Sequence, residues 1–320
     1  MNRLLVLVWA LVLLPFCAAA QPFPTKPVRI VCPFPPGGGV DITARAIAHE
    51  LSALLGQPVV VDNRPGAGGN VAAGEVARAT PDGHTLLLTL NALHAISPHL
   101  YAKLPFDAMQ DFSFITPLVA FNNVLVVSPG SPAKSVQELI AAAKRAPGKL
   151  TFASSGNGTN IHLVGELFKS MAGIDIVHVP YKGSAPALTD LMGGAVAMMF
   201  DTIPSAVSHV KSGKLRALGV TGGKRSPLFP EVPTLAEAGL PGFEVLSWYG
   251  LIGPAGMPQE VVRRLNAEAI KGATSTQFRG RMEPLGFDIV TATPEKMVQM
   301  LRADSARWAG VIKAAGVTIN

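Results

Sequence analysis

Short apolar runs alternate along this chain with longer stretches whose apolar residues recur at helical spacing. Residues 28–31 form the first run, and the proline- and glycine-rich residues 33–39 follow as a turn. Asp41 is then the expected N-cap of a helix that places Ile47, Leu51, Leu54 and Leu55 on one face and stops at Gly56. A strand is expected at 58–61, then the loop Asn63-Arg64-Pro65-Gly66-Ala67-Gly68-Gly69-Asn70, a helix through Val71, Val76 and Ala77, and a third strand at 85–89.

The same rhythm restarts at Asn123, where the run 124–127 is positioned to bridge two lobes. Ser135-x-x-Glu138 is a capping box for a helix carrying Leu139 and Ile140, and Pro147-Gly148 closes it. Residues 150–153 read as a strand, 154–159 as a turn of small residues, and Val164, Leu167, Phe168 and Met171 as the apolar face of the next helix. Further strands are expected at 176–179, 196–200 and 215–220. The tail is mostly helical: Pro258 and Pro294 suit first helical turns, and Met297, Leu301, Trp308 and Val311 follow a stripe. Strands alternating with helices imply an α/β fold of open, mainly parallel sheets flanked by helices. In such sheets, turns at the carboxyl ends of strands face the crevice where ligands bind.

The length of 320 residues suits two lobes. Met1-Asn2-Arg3, the apolar residues 4–16 and Ala18-x-Ala20 make an export signal with cleavage before Gln21, and hence a periplasmic destination. That apolar run falls short of the roughly 18 to 20 residues that cross a bilayer. A lipidation site at Cys17 is disfavoured by the bulk of Phe16 in front of it. Cleavage leaves Cys32 alone, so no internal disulfide is expected, and Cys32 reads as a buried small hydrophobe. The pI of about 9.4 raises nucleic acid as a partner. The Lys and Arg residues are scattered singly rather than clustered with aromatics, so the charge favours anionic solutes instead.

Chemistry concentrates in the turns. Pro36-Gly37-Gly38-Gly39 has no side chains to block close approach to backbone N–H groups, and Gly66-Ala67-Gly68-Gly69 repeats that arrangement. Ser155-Gly156-Asn157-Gly158-Thr159-Asn160 combines hydroxyls, an amide and a helix start, which suits one carboxylate or a small neutral polar group. It lacks the third glycine of a dinucleotide fingerprint, so no cofactor is expected. Asp201 emerges at a strand end, to bond a ligand or to cap the next segment. Nucleophile-elbow, Walker and His-Glu-x-x-His motifs are missing, and the seven histidines show no ligand-set spacing, so neither catalysis nor a metal is expected.

Taken in order, several segments resemble the periplasmic receptors of tripartite tricarboxylate transporters, the Bug family. They are Val31-Cys-Pro-Phe-Pro-Pro-Gly-Gly-Gly39 with Asp41, Asn63-Arg-Pro-Gly-Ala-Gly-Gly69, Pro81-Asp-Gly83, Pro132-Ala-Lys-Ser-Val-Gln-Glu-Leu139 and Gly156-Asn-Gly-Thr159. His178-Val-Pro-Tyr-Lys-Gly183, Phe200-Asp201, Lys214-Leu-Arg-Ala-Leu218 and Ser247-Trp-Tyr-Gly250 complete the set. The resemblance implies a two-domain flytrap, with residues 21–121 and 246–320 as the first lobe, 122–245 as the second, and a small carboxylate held in the cleft between them. It implies Gly38, Gly39 and Asp41, with Ala67 and Gly68, as ligand contacts of the first lobe. Ser155, Asn157, Gly158, Thr159 and Asp201 face them, with Tyr181 and Lys182 near the rim.

The sequence departs from the family at Thr89-Leu90, where a Gly-Thr pair is common, at Leu93, where Thr or Ser precedes His94, and at Asn160-Ile161, where small polar residues are usual. Leu90 and Leu93 either line the pocket, which then favours a carboxylate with a larger apolar or aromatic body, or belong to the core. The implied partners are the membrane subunits of a transporter or, alternatively, a sensor kinase, with the receptor itself a monomer. An exported hydrolase is the rival of a different class.

Overall fold

The computed structural model describes residues 23–315 apart from residue 102, so the export signal lies outside the described residues. Two open sheets organise the chain. The first contains β1 (Val28–Cys32), β2 (Val59–Asn63), β3 (Thr85–Leu90), β4 (Phe112–Phe121), β10 (Ser247–Pro254) and β11 (Asp288–Ile289), in the order β11-β4-β10-β3-β1-β2. The second contains β5 (Asn123–Val127), β6 (Thr151–Ser154), β7 (Val177–Pro180), β8 (Met198–Thr202) and β9 (Arg216–Val220), in the order β7-β6-β8-β5-β9.

Helices α1 (Gly39–Leu55), α2 (Asn70–Ala77), α3 (Asn91–Ala95), α4 (Ser97–Leu100), α9 (Gln259–Ala273) and α10 (Thr276–Met282) accompany the first sheet. Helices α5 (Val136–Arg145), α6 (Asn160–Ala172), α7 (Ser184–Met192) and α8 (Ile203–Lys211) accompany the second. The last helix, α11 (Pro294–Ala315), packs against α3, β4 and α6, and so touches both lobes.

Both sheets are open and covered by helices, as expected. Parallel pairing, expected to dominate, accounts for only part of each. It joins β1 to β2 and β3, and β6 to β7 and β8. Antiparallel pairing joins β10 to β3 and β4, and β5 to β8 and β9. The cause is the route of the chain: β4 leaves the first sheet at Phe121, β5 enters the second at Asn123, and β10 returns at Ser247. Strands that carry the chain between lobes have no helical crossover to turn them parallel. Residues 124–127, expected to bridge the lobes, are a buried strand of the second sheet, flanked by β8 and β9.

Local chemistry sets the helix ends. Ser135 Oγ accepts from Glu138 N, while Glu138 Oε2 accepts from Lys134 N, one residue earlier than a capping box places it. Gly56 takes the left-handed conformation that ends α1. The start of α1 differs from expectation: Gly38 is its N-cap, and Asp41 lies inside the first turn. Cys32 is buried on β1, where desolvation pushes its thiol up to about 11.

One polar knot secures α11. Asp304 Oδ2 accepts from Asn91 Nδ2 and from Trp248 Nε1, both at 3.0 Å, and both donor residues are buried. Asp304→Ala would leave two buried donors unsatisfied, and a loss of about 2–3 kcal/mol is expected in denaturant unfolding. A loss under about 0.5 kcal/mol would show that water replaces the carboxylate without penalty.

Candidate functional site

A cavity of about 60 Å³ lies between the sheets, at the carboxyl ends of β1, β3, β6 and β8 and the amino end of β10. A single water needs roughly 10–15 Å³ by such a measure, so the space suits a small solute rather than one trapped water. Its walls come from the starts of helices in both lobes. Gly38, Gly39 and Val40 open α1, Thr159, Asn160 and Ile161 open α6, Gly183, Ser184 and Ala185 open α7, and Thr202 caps α8. First-turn N–H groups have no acceptor within their own helix, and the positive ends of the helix dipoles lie beside them.

Each turn is braced from behind. Asp41 Oδ2 accepts from Gly37 N at 3.1 Å and from Arg45 Nε at 2.9 Å, and Asp41 Oδ1 accepts from Asn63 Nδ2 at 2.9 Å. Burial opposes its charge, but Arg45, Asn63 and Gly37 outweigh burial and hold the carboxyl below its usual range. In the facing turn, Thr159 Oγ1 donates to Gly156 O at 2.7 Å and accepts from His162 N. His162 Nδ1 accepts from Gly158 N, and His178 Nε2 lies 2.6 Å from Ser154 Oγ. The two imidazoles stack with centroids 3.9 Å apart. Burial pushes His162 down to about 4 and His178 down to about 3, so both rings are neutral near pH 7.

Of the residues expected at the ligand, Gly38, Gly39, Ser155, Thr159 and Asn160 line the cavity, as does Lys182. Leu90 lines it too, whereas Leu93 is core, packed beside Gly69. Asp41 sits behind the glycine turn. Ala67 and Gly68 belong to a short 3-10 turn beside the facing lobe, where Tyr101 Oη donates to Asn157 O at 3.0 Å across the cleft. Gly158 lies under the same tyrosine. Tyr181 Oη donates to Asp190 Oδ2 at 2.7 Å, and burial together with that bond pushes its phenol up to about 12. Asp201 is fully buried behind α7: its Oδ1 accepts from Ser184 Oγ at 2.7 Å, and its Oδ2 has no hydrogen-bond partner among the described residues. Burial pushes this carboxyl up to about 6 although Ser184 pulls the other way.

The remaining wall is mainly apolar. Phe34, Pro35, Leu90, Phe121, Ile161 and Tyr249 supply most of it. Sequence reading assigned no role to Thr202, Ser247 or Tyr249 at the ligand. Ser247 and Tyr249 lie inside the segment Ser247-Trp-Tyr-Gly250 and Thr202 directly follows Phe200-Asp201, but no local feature of the sequence marks any of the three as lining a cavity.

Comparison with known proteins agrees with this architecture. A family profile described as "Tripartite tricarboxylate transporter family receptor" matches residues 43–317. A Pseudomonas sp. (strain P51) protein, "UPF0065 protein in tcbD-tcbE intergenic region", is 42% identical over 291 residues, covering 91% of this chain and 86% of that one. The solved structure "R. palustris Rpa4515 with adipate" superposes with a TM-score of 0.90 at 38% identity, over 92% of this chain and 99% of its own. The structure of "periplasmic binding protein BugD" superposes with a TM-score of 0.89 at 34% identity, over 92% and 99%.

Proposed function

Because the chain belongs to the tripartite tricarboxylate transporter receptor family, we propose that it is a periplasmic receptor that closes two lobes on a small carboxylate and hands it to the membrane subunits of such a transporter. In this reading residues 21–121 with 246–320 form one lobe, 122–245 the other, and residues 1–20 direct export and are removed. The observation that carries the reading is the convergence of the starts of α1, α6 and α7 on one cavity whose only lining cation among the described residues is the exposed Lys182. Backbone amides preorganised at helix starts bind an anion without the desolvation cost of a buried guanidinium. The apolar wall, with Leu90 in it, selects an acid with an aliphatic or aromatic body over a compact polar one.

Closure follows from a ligand that touches both lobes at once, since only such a ligand favours the closed state over the open one. Capture and release need no bond making, so turnover is not expected.

A thermal-shift screen across mono- and dicarboxylates, aromatic acids, amino acids and neutral amides tests this. At a concentration of about 100 times Kd, a true ligand stabilises the fold by about 2.7 kcal/mol. Thr159→Ala removes both the α6 cap and the brace on Gly156, and is expected to weaken the acid about tenfold. Stabilisation by amides alone, or a product of any panel member detected by mass, would remove the receptor reading.

A further inference from the structure

Two residues at the floor of the cavity carry buried side-chain oxygens that have no partner among the described residues: Thr202 Oγ1 and Ser247 Oγ. Their residues are 7% and 1% exposed, so bulk water does not satisfy them. Thr202 caps α8 without using its hydroxyl as a cap. The two residues sit together for a topological reason. Thr202 pairs with Asn123 at the start of β5, and Ser247 pairs with Phe121 at the end of β4, so they flank the same crossover from opposite lobes. A methyl group placed on Gly39 would lie 3.6 Å from Thr202 Oγ1 and 3.4 Å from Tyr249 Oη, which puts these hydroxyls beside the first turn of α1. An unsatisfied buried hydroxyl is costly, and here two of them belong to residues that line one cavity.

We propose that this floor is a subsite for a hydroxyl group on the ligand, so that the acid captured is a monocarboxylate whose apolar body carries a hydroxyl. The inference rests on the receptor reading and adds the second polar point of recognition. A hydroxyl both donates and accepts, which matches what Thr202 and Ser247 offer. A second carboxylate does not suit the floor. Asp201 adjoins Thr202, is fully buried, and makes no ion pair, and Ser184, which donates to it, lines the same cavity. Placing another carboxylate there sets two like charges side by side, and the cation that lines the cavity, Lys182, is exposed to solvent. A plain alkyl or aryl end leaves both hydroxyls unpaired, which disfavours it by a different route.

Two matched series test the subsite by calorimetry: hexanoate, 6-hydroxyhexanoate and adipate, and benzoate, 4-hydroxybenzoate and terephthalate. In at least one series the hydroxy acid is expected to bind ten times or more tighter than both its relatives. Thr202→Val and Ser247→Ala should each erase most of that advantage while moving the unsubstituted acid by less than about threefold. Tighter binding of the diacid would overturn the proposal, as would equal affinity for the hydroxylated and plain acids. In both cases carboxylate binding itself persists and the receptor reading stands. If no member of either series binds, the inference falls, and the receptor reading is judged by the thermal-shift panel alone.

Discussion

Gly68→Ala should weaken capture of the acid found by the thermal-shift panel by about 30- to 100-fold while leaving a folded protein. The expectation follows from separating two costs. Gly68 has φ +66°, so any side chain there is strained whether the lobes are open or closed. That cost, about 1 kcal/mol, lowers stability and cancels from affinity. The second cost exists only on closure, because the new methyl carbon would lie 2.8 Å from the carbonyl oxygen of Asn157 in the facing lobe. A backbone carbonyl cannot rotate away as a side chain does, so the lobes must stop short or the turns must shift, at about 2–3 kcal/mol. Apparent affinity falls with the population of the closed state.

Gly213→Ala is the control: φ is +72° and nothing lies within 4 Å, so stability should drop by a similar amount with affinity unchanged. Tyr101→Phe deletes only the hydrogen bond to Asn157 and should weaken binding about three- to tenfold. Small-angle scattering should show that ligand compacts the wild type and not Gly68→Ala. Binding by Gly68→Ala within threefold of wild type would mean that the closed contact between these turns is not the ligand-holding state.

The sequence made the helix ends and the glycine turns readable because their causes are local. Ser135 with Glu138, Gly56 after Leu55 and Pro294 at the head of the last helix each act within a turn of the residues that they cap. Strands β4 and β10 were not readable for a complementary reason. Nearly all of β4 is buried, so alternation is lost, and Pro117 in its middle argues against a central strand. The structure accommodates Pro117 opposite Gly250 at a register shift, where a side chain on Gly250 would lie 2.7 Å from the Thr116 carbonyl oxygen. That tolerance depends on a partner more than a hundred residues away, as the pairing register records.

The candidate site divides along the same line. Gly38, Gly39, Ser155, Thr159 and Asn160 lie in turns whose composition announces close backbone approach. Thr202, Ser247 and Tyr249 reach the cavity only because the chain crosses between lobes beside them. Asp41 enters the expected ligand contacts through the family resemblance, and Asp201 as a carboxylate that emerges at a strand end. The structure shows each with its carboxylate turned to the protein: Asp41 to Gly37 and Arg45, Asp201 to Ser184.

The largest expected change in stability comes from acid. His94, His162 and His178 are pushed down to about 4, 4 and 3 by burial, well below the unfolded value of about 6.5. Between those limits the unfolded chain binds protons that the native rings refuse, so stability is lost as pH falls from about 6.5 toward 4 and is fully present above 6.5. Asp201 has the opposite sign. Its folded value is raised to about 6, so the native state binds the extra proton between about 3.8 and 6, and stability rises as pH falls through that window. Glu166, raised by burial, adds a smaller contribution of the same sign as Asp201. Asp41 and Asp82, held below their usual range, add acid lability only below that range.

Three histidines against one aspartate leave a net difference of at most about two protons between about pH 6 and 4.5, reduced by what Glu166 takes up. At about 1.4 kcal/mol per proton per pH unit, unfolding free energy should fall by up to about 4 kcal/mol across that interval. That is a large fraction of the ~5–15 kcal/mol typical of a folded protein. Loss of binding should accompany it, since a charged His162 presents an N–H where Gly158 N now finds an acceptor, and the turn lining the cavity loosens.

Denaturant titrations at half-unit pH steps check the sign and the count together. Asp201→Asn removes the opposing group and should steepen the slope by about one proton. His178→Phe, which retains a ring to stack on Phe152, should flatten it by about one. A stability that is level or rising from pH 6.5 down to 4.5 would show that these imidazoles take up protons within the folded protein, and the neutral, acceptor role assigned to His162 beneath the second-lobe turn would fall with that result.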